Sequence, residues 1–65
     1  MAKNFNISNG TTAEISLCEP TGEFVMHHFA HGKIRGMGRF ATMEEAVSRL
    51  HKLAGMWGGY EVTEA

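Results

Sequence analysis

The sequence predicts an α+β domain: an antiparallel sheet of about four strands with one amphipathic helix packed on one face. Two observations lead to this fold. Four extended segments separated by turn residues occupy residues 4–40, and a helical pattern introduced by a capping signal follows them. The chain of 65 residues is expected to be a single β-β-β-β-α(-β) domain over residues 1–65, with a short fifth strand at the C-terminus.

Turn residues separate the predicted strands. Asn9-Gly10, Glu19-Pro20-Thr21-Gly22 and His31-Gly32 lie between neighbouring extended segments, and these residue types favour tight turns. The four strands are therefore expected at about Asn4–Ser8, Thr12–Cys18, Glu23–Ala30 and Lys33–Phe40, with Tyr60-Glu61-Val62 as the short fifth strand.

The helix is expected from about Thr42 to Gly55. Thr42 and Glu45 have the spacing of a capping box, in which the hydroxyl accepts from the Glu45 N–H and the carboxylate reaches back to the N–H of Thr42. Gly55, Gly58 and Gly59 supply the stop. One helical face is apolar and is expected to cover the core; it comprises Met43, Ala46, Val47, Leu50, Leu53, Ala54 and Trp57.

The turns also predict which residues share a face of the sheet, since a slip of one residue exchanges the two faces. A three-residue loop at Asn9-Gly10-Thr11 would pair Phe5 with Ile15, and a three-residue loop at Pro20-Thr21-Gly22 would pair Leu17 with Val25. A two-residue loop at His31-Gly32 would pair Phe29 with Ile34. The core face is then expected to comprise Phe5, Ile7, Ala13, Ile15, Leu17, Val25, His27, Phe29, Ile34 and Phe40.

Gly36 and Gly38 would lie on the same core face. Their missing side chains would let Trp57 or Leu50 of the helix approach the strand closely. The alternative is that the two glycines mark bulges in an irregular strand.

The uncovered face of the same register would hold apolar and cationic side chains together. Cross-strand pairs are expected between Phe24 and Arg39, Met26 and Met37, and His28 and Arg35. Methionine and arginine are enriched at interfaces, whereas a water-facing sheet surface is usually polar. The sequence therefore predicts a partner-binding surface made of Phe24, Met26, His28, Lys33, Arg35, Met37 and Arg39.

Composition argues against several classes of protein. Six lysines and arginines against seven glutamates give a formal net charge of −1, which lacks the field of a non-specific nucleic-acid binder. Cys18 is the only cysteine, so no intramolecular disulfide can form and a reducing, cytoplasmic location is expected. No apolar run approaches the roughly 18 residues that a membrane helix needs, and the first residues do not resemble a signal peptide.

The residues that could support chemistry do not form a recognisable site in the sequence. His27, His28 and His31 are close together, but adjacent strand residues point to opposite faces, and structural zinc requires four ligands. Cys18 has no predicted base with an orienting third group. Gly36-Met37-Gly38 and Gly58-Gly59 lack the strand–loop–helix setting of a phosphate loop. We expect no metal, no cofactor and no enzymatic activity.

Residues 32–46, Gly-Lys-Ile-Arg-Gly-Met-Gly-Arg-Phe-Ala-Thr-Met-Glu-Glu-Ala, resemble the sheet-to-helix junction of two families of DNA-binding domains. These are the plant ethylene-response type and the arm-binding domain of phage integrases. The resemblance implies a sheet laid into the DNA major groove, with Lys33, Arg35 and Arg39 as DNA contacts. The sheet-face tryptophans and basic first strands of these families are missing here.

The chain is also similar in type to small phage-encoded inhibitors of host machinery, including anti-CRISPR proteins. That resemblance implies a protein that acts by steric occlusion of a host protein. The leading hypothesis is therefore a small non-catalytic protein-binding module, and the alternative is a DNA-binding domain that uses the open sheet face. A homodimer formed through edge strands or through the open face is compatible with either hypothesis.

Overall fold

The computed structural model describes residues 2–65 and confirms the α+β fold. Five antiparallel strands form one sheet in the order β4-β3-β2-β1-β5, and a single helix packs on one side of it. The elements are β1 (Ala2–Ile7), β2 (Thr12–Cys18), β3 (Glu23–Ala30), β4 (Lys33–Phe40), α1 (Met43–Gly58) and β5 (Val62–Glu64). No helix within residues 2–65 combines the length and the apolar character needed to cross a membrane.

The β1–β2 hairpin closes through a three-residue loop, Ser8-Asn9-Gly10, one residue earlier than predicted. The Ile7 N–H donates to the Thr11 carbonyl over 3.0 Å, and Gly10 has a φ of 91° that favours glycine. Phe5 consequently pairs with Ala13 instead of Ile15. The shift of two residues in pairing leaves the predicted faces of both strands unchanged.

The β2–β3 loop differs in length from the prediction, and this difference exchanges the two faces of β3. The carbonyl of Cys18 accepts the N–H of Thr21 over 3.2 Å and that of Gly22 over 2.8 Å. The loop therefore has four residues, and Cys18 pairs with Glu23. Because the predicted loop had three residues, β3 is turned over relative to the prediction.

The inverted strand places Met26 opposite Ile15, beneath the helix, where it is 4% exposed. The prediction of Phe24, Met26 and His28 on the uncovered face is therefore wrong. The prediction that Val25, His27 and Phe29 lie on the helix-covered face is wrong for the same reason, although Val25 is buried.

The β3–β4 hairpin closes through His31 and Gly32, as predicted, with φ values of 55° and 74°. The predicted pairing of Phe29 with Ile34 is confirmed, but the register shifts between Phe29 and His28. Arg35 is an extra residue in β4, so His28 pairs with Gly36 and Met26 with Gly38. The three predicted cross-strand pairs on the uncovered face are consequently not formed. The predicted core position of Ile34 is also wrong, because its side chain is 59% exposed.

The two glycines of β4 lie on the helix-covered side, as predicted, but no helix residue fills the space above them. A methyl group built on Gly38 would lie 3.0 Å from the Phe40 ring, and one on Gly36 would meet only the His28 Cβ at 3.9 Å. Phe40 therefore covers Gly38, and the predicted close approach of Trp57 or Leu50 is wrong.

Helix α1 begins as the capping signal predicts, because the Thr42 hydroxyl accepts from the Glu45 N–H over 3.1 Å. The helix continues three residues past the predicted end at Gly55. It stops where Gly59 adopts a left-handed φ of 72° and donates its N–H to the Gly55 carbonyl over 2.9 Å. The extra turn brings Trp57 above β3. The C-terminal strand also begins later than predicted, at Val62, where it pairs with Ile7 of β1.

The core lies between the helix and the sheet. Ala46, Leu50 and Ala54 are fully buried along one line of the helix, and the small alanines let α1 approach the strands closely. The buried cluster is Phe5, Ile7, Ala13, Ile15, Met26, Ala46, Leu50 and Ala54.

The observed register predicts different costs for truncating two methionines. Met26→Ala is expected to lower the free energy of unfolding by about 2–5 kcal/mol because it leaves a cavity in the core. Met37→Ala, at a side chain that is 63% exposed, should change it by less than about 0.5 kcal/mol. Urea unfolding of both variants measures the difference, and similar costs at the two positions would contradict the register.

Candidate functional site

The face of the sheet opposite the helix has an apolar patch on β3 and β4. We call it the open-face patch and define it as Val25, His27, Phe29, Ile34 and Met37. His27 is the cross-strand neighbour of Met37, and Phe29 is the neighbour of Ile34. Ile34 is 59% and Met37 63% exposed, whereas Val25 on the inner strand is 9% exposed. The apolar surface that water reaches is therefore concentrated on β4.

Polar groups border the open-face patch at one end. Arg39 lies beside Val25, and its Nη1 is 3.5 Å from Glu23 Oε1. Both side chains are about half exposed, so this ion pair contributes little stability and leaves the guanidinium available to a partner. The rings of His27 and Phe29 are tilted by 36°, with centroids 6.2 Å apart.

A shallow groove of about 280 Å³ adjoins the patch on the β1–β2 side. Amide, hydroxyl and carboxylate groups line much of it. Its lining residues are Asn4, Phe5, Asn6, Thr12, Ala13, Glu14 and Phe29. The open face thus combines an apolar half, on β3 and β4, with a polar half, on β1 and β2. Such a surface can bind a partner through burial of apolar area and through hydrogen bonds at its margin.

The structure separates the seven predicted partner-binding residues into three groups. Met37 and Arg39 lie on the open face, while Lys33 and Arg35 are exposed on β4, at one edge of the sheet. The other three lie on the helix side and cannot contribute to the same surface; they are Phe24, Met26 and His28.

Four of the five residues of the open-face patch were predicted on the core face: Val25, His27, Phe29 and Ile34. Val25 and Phe29 were predicted in the core because they are alternate apolar residues of one strand. Ile34 was predicted there because it pairs with Phe29. The four-residue spacing between Cys18 and Glu23, with proline inside the loop, was the signal that could have revealed the correct faces.

His27 and His28 point to opposite faces, as adjacent strand residues must, but the sides are the reverse of those predicted. Within residues 2–65, no three His, Cys, Asp or Glu side chains are grouped closely enough to hold a metal ion. Cys18 is half-buried at the end of β2, and a hydrogen bond with Thr21 lowers the pKa of its thiol.

His28 sits between the end of the helix and the sheet. Its ring stacks on Trp57 with centroids 4.5 Å apart, and its Nε2 lies 3.0 Å from the Thr11 hydroxyl. Burial lowers the pKa of His28 below the ordinary value of 6.5, because the charged ring would lose solvation. His28 therefore acts as a packing residue that joins the helix C-terminus to Thr11, directly before β2.

Comparisons of the chain with protein-family models, with curated proteins and with solved structures found no match.

The lowered pKa of His28 predicts that the free energy of unfolding decreases when the pH is lowered. The unfolded chain takes up a proton at His28 near pH 6.5, before the folded chain does, so the free energy of unfolding decreases as the pH falls through that value. The decrease ends below the folded-state pKa. Urea midpoints at about pH 7.5 and about pH 5.5 measure the effect.

His28→Phe retains a ring against Trp57 and should lose this part of the pH dependence. His31→Asn, which changes an exposed loop histidine, is the matched control and should behave as the wild type. An unaltered pH dependence in His28→Phe would exclude this role for His28.

Proposed function

We propose that the chain is a small non-catalytic protein-binding module that engages its partner through the open-face patch and acts by covering a surface of that partner. The observation behind this proposal is that exposed Ile34 and Met37 lie beside Phe29 and His27 on the face that no helix covers. Apolar side chains grouped on a solvated sheet face are typical of interaction surfaces.

The surroundings of the patch also suit protein recognition. Methionine adapts its shape to a partner, and an arginine at the margin can form a hydrogen-bonded pair with a partner carboxylate. Arg39 has this position beside Val25. The resemblance in type to small phage-encoded inhibitors supports the same mode of action, since occlusion requires a rigid surface and no chemistry.

Replacement of the two exposed patch residues should weaken partner binding. Ile34→Thr/Met37→Thr keeps strand-compatible side chains but removes most of the exposed apolar surface, and we expect the Kd for the partner to rise at least about tenfold. Partners are first captured from host lysate by cross-linking, and their affinities for the purified wild-type and variant proteins are then measured by calorimetry.

Met56→Gln is the matched control, because Met56 is 72% exposed on the helix, away from the open face. It should bind each partner as the wild type does. Equal affinities of the double variant and the wild type for every captured protein would remove the open face from the binding function.

Double-stranded DNA is the second candidate partner, because Lys33 and Arg35 are exposed on the strand that resembles the DNA-reading strand of the ethylene-response and integrase domains. If DNA binds there, Arg35→Gln should reduce the slope of log Kd against log salt by about 0.9 for the lost phosphate contact. A fluorescence titration with duplex DNA at several salt concentrations measures the slope. Absence of binding at low salt would eliminate this candidate.

A further inference from the structure

Strand β4 forms one edge of the sheet, and no strand lies on its outer side within residues 2–65. The backbone of an antiparallel strand bonds alternately to its two neighbours. In β1, the Ile7 N–H donates to Thr11 of the β2 side, and the next N–H, of Ser8, donates to the Glu61 carbonyl on the β5 side. This alternation can be followed across the sheet through the strand pairings.

When the pairings are traced from β1 to β4, the backbone N–H and C=O groups of Gly36, Gly38 and Phe40 point toward β3. Those of Met37 and Arg39 are directed outward. The edge therefore presents two consecutive outward residues whose N–H and C=O groups can extend the sheet. An edge of this kind is a template for another extended segment.

The charge of β4 decides what kind of segment would be accepted. Three of the chain's six cations are on this strand, at Lys33, Arg35 and Arg39, and the strand has no acidic residue. All three side chains are exposed, and of these three only Arg39 has a carboxylate partner within residues 2–65. Pairing with the β4 strand of a second copy would bring two cationic strands together, which is unfavourable. The same cations attract an acidic strand.

The helix-facing side of the edge has room for the side chains of an added strand. Gly36 and Gly38 supply no side chain there, and the Phe40 ring is the side chain that lies nearest to Gly38. On the opposite side, an added strand would lie beside Met37 and Arg39. Apolar residues facing Phe40 and acidic residues facing Arg39 would therefore fit an alternating sequence.

We propose that the outer edge of β4 binds an extended acidic segment of another protein as a sixth strand. Backbone hydrogen bonds to Met37 and Arg39 hold the segment, and Lys33, Arg35 and Arg39 select its charge. Cations on an edge strand ordinarily protect it from self-association, and here they also define the permitted partner. The inference goes beyond the proposed function, since it uses backbone groups and charges and not the apolar side chains of the patch.

Amide hydrogen exchange of isotope-labelled protein tests this proposal directly. The probe is a blocked peptide of three Glu-Val repeats. At saturation, the amides of Met37 and Arg39 should exchange at least about tenfold more slowly, because they become hydrogen-bonded, while the outward-facing amides of β5 should be unaffected. The double variant Lys33→Glu/Arg35→Glu should bind the peptide at least about tenfold more weakly.

Two further peptides provide matched controls. A Glu-Val repeat that is N-methylated at its glutamates has the same charge, but the residues that would pair with Met37 and Arg39 then lack their N–H groups, so it should not protect the β4 amides. A Lys-Val repeat has the same extended propensity but the opposite charge, and it should not bind.

Several results would overturn the proposal. They are unprotected Met37 and Arg39 amides at saturating Glu-Val peptide, equal protection by the N-methylated repeat, or displacement of the peptide by duplex DNA that itself protects these amides. Ile34→Thr/Met37→Thr separates this test from that of the patch. If this variant loses its protein partner while no peptide protects the edge, the edge proposal fails and the proposed function stands.

Discussion

The structure depends on the turn at the end of β2, where the Cys18 carbonyl accepts two backbone N–H groups. That turn gives the β2–β3 loop four residues, and the number of residues in the loop decides which side of β3 meets the helix. Burial of Met26 against Ile15 and the stack of His28 on Trp57 both follow from it. The same turn leaves Val25, His27 and Phe29 on the opposite side, where they form the inner row of the open-face patch.

Over residues 24–29, hydropathy could not have decided between the two orientations of β3. Each side of this segment has two apolar residues and one histidine: Phe24, Met26 and His28 on one side, and Val25, His27 and Phe29 on the other. The difference lies in hydrogen bonding, because His28 reaches the Thr11 hydroxyl from its position beneath the helix. That contact joins residues 17 positions apart, so a local sequence pattern could not predict it.

Elements with strong local signals were predictable. The bounds of β2, β3 and β4 and the Thr42 cap follow from turn residues and a capping spacing, and the structure has them where the sequence places them. The faces of the second half of β4 were also predicted correctly, but only because two unpredicted extra residues compensate for each other. The bulge at Arg35 adds one residue and so offsets the extra residue of the β2–β3 loop, which returns Gly36 and Gly38 to the helix side.

The pairing of β5 with β1 has a consequence for how this domain can be joined to other polypeptides. The Ala65 N–H donates to the Asn4 carbonyl over 2.8 Å, so the first and last strands run side by side at one margin of the sheet. The β4 margin lies four strand spacings away, each about 4.8 Å. A tether or fused domain attached at either end would therefore leave from the side remote from β4, and the exposed strand would stay accessible.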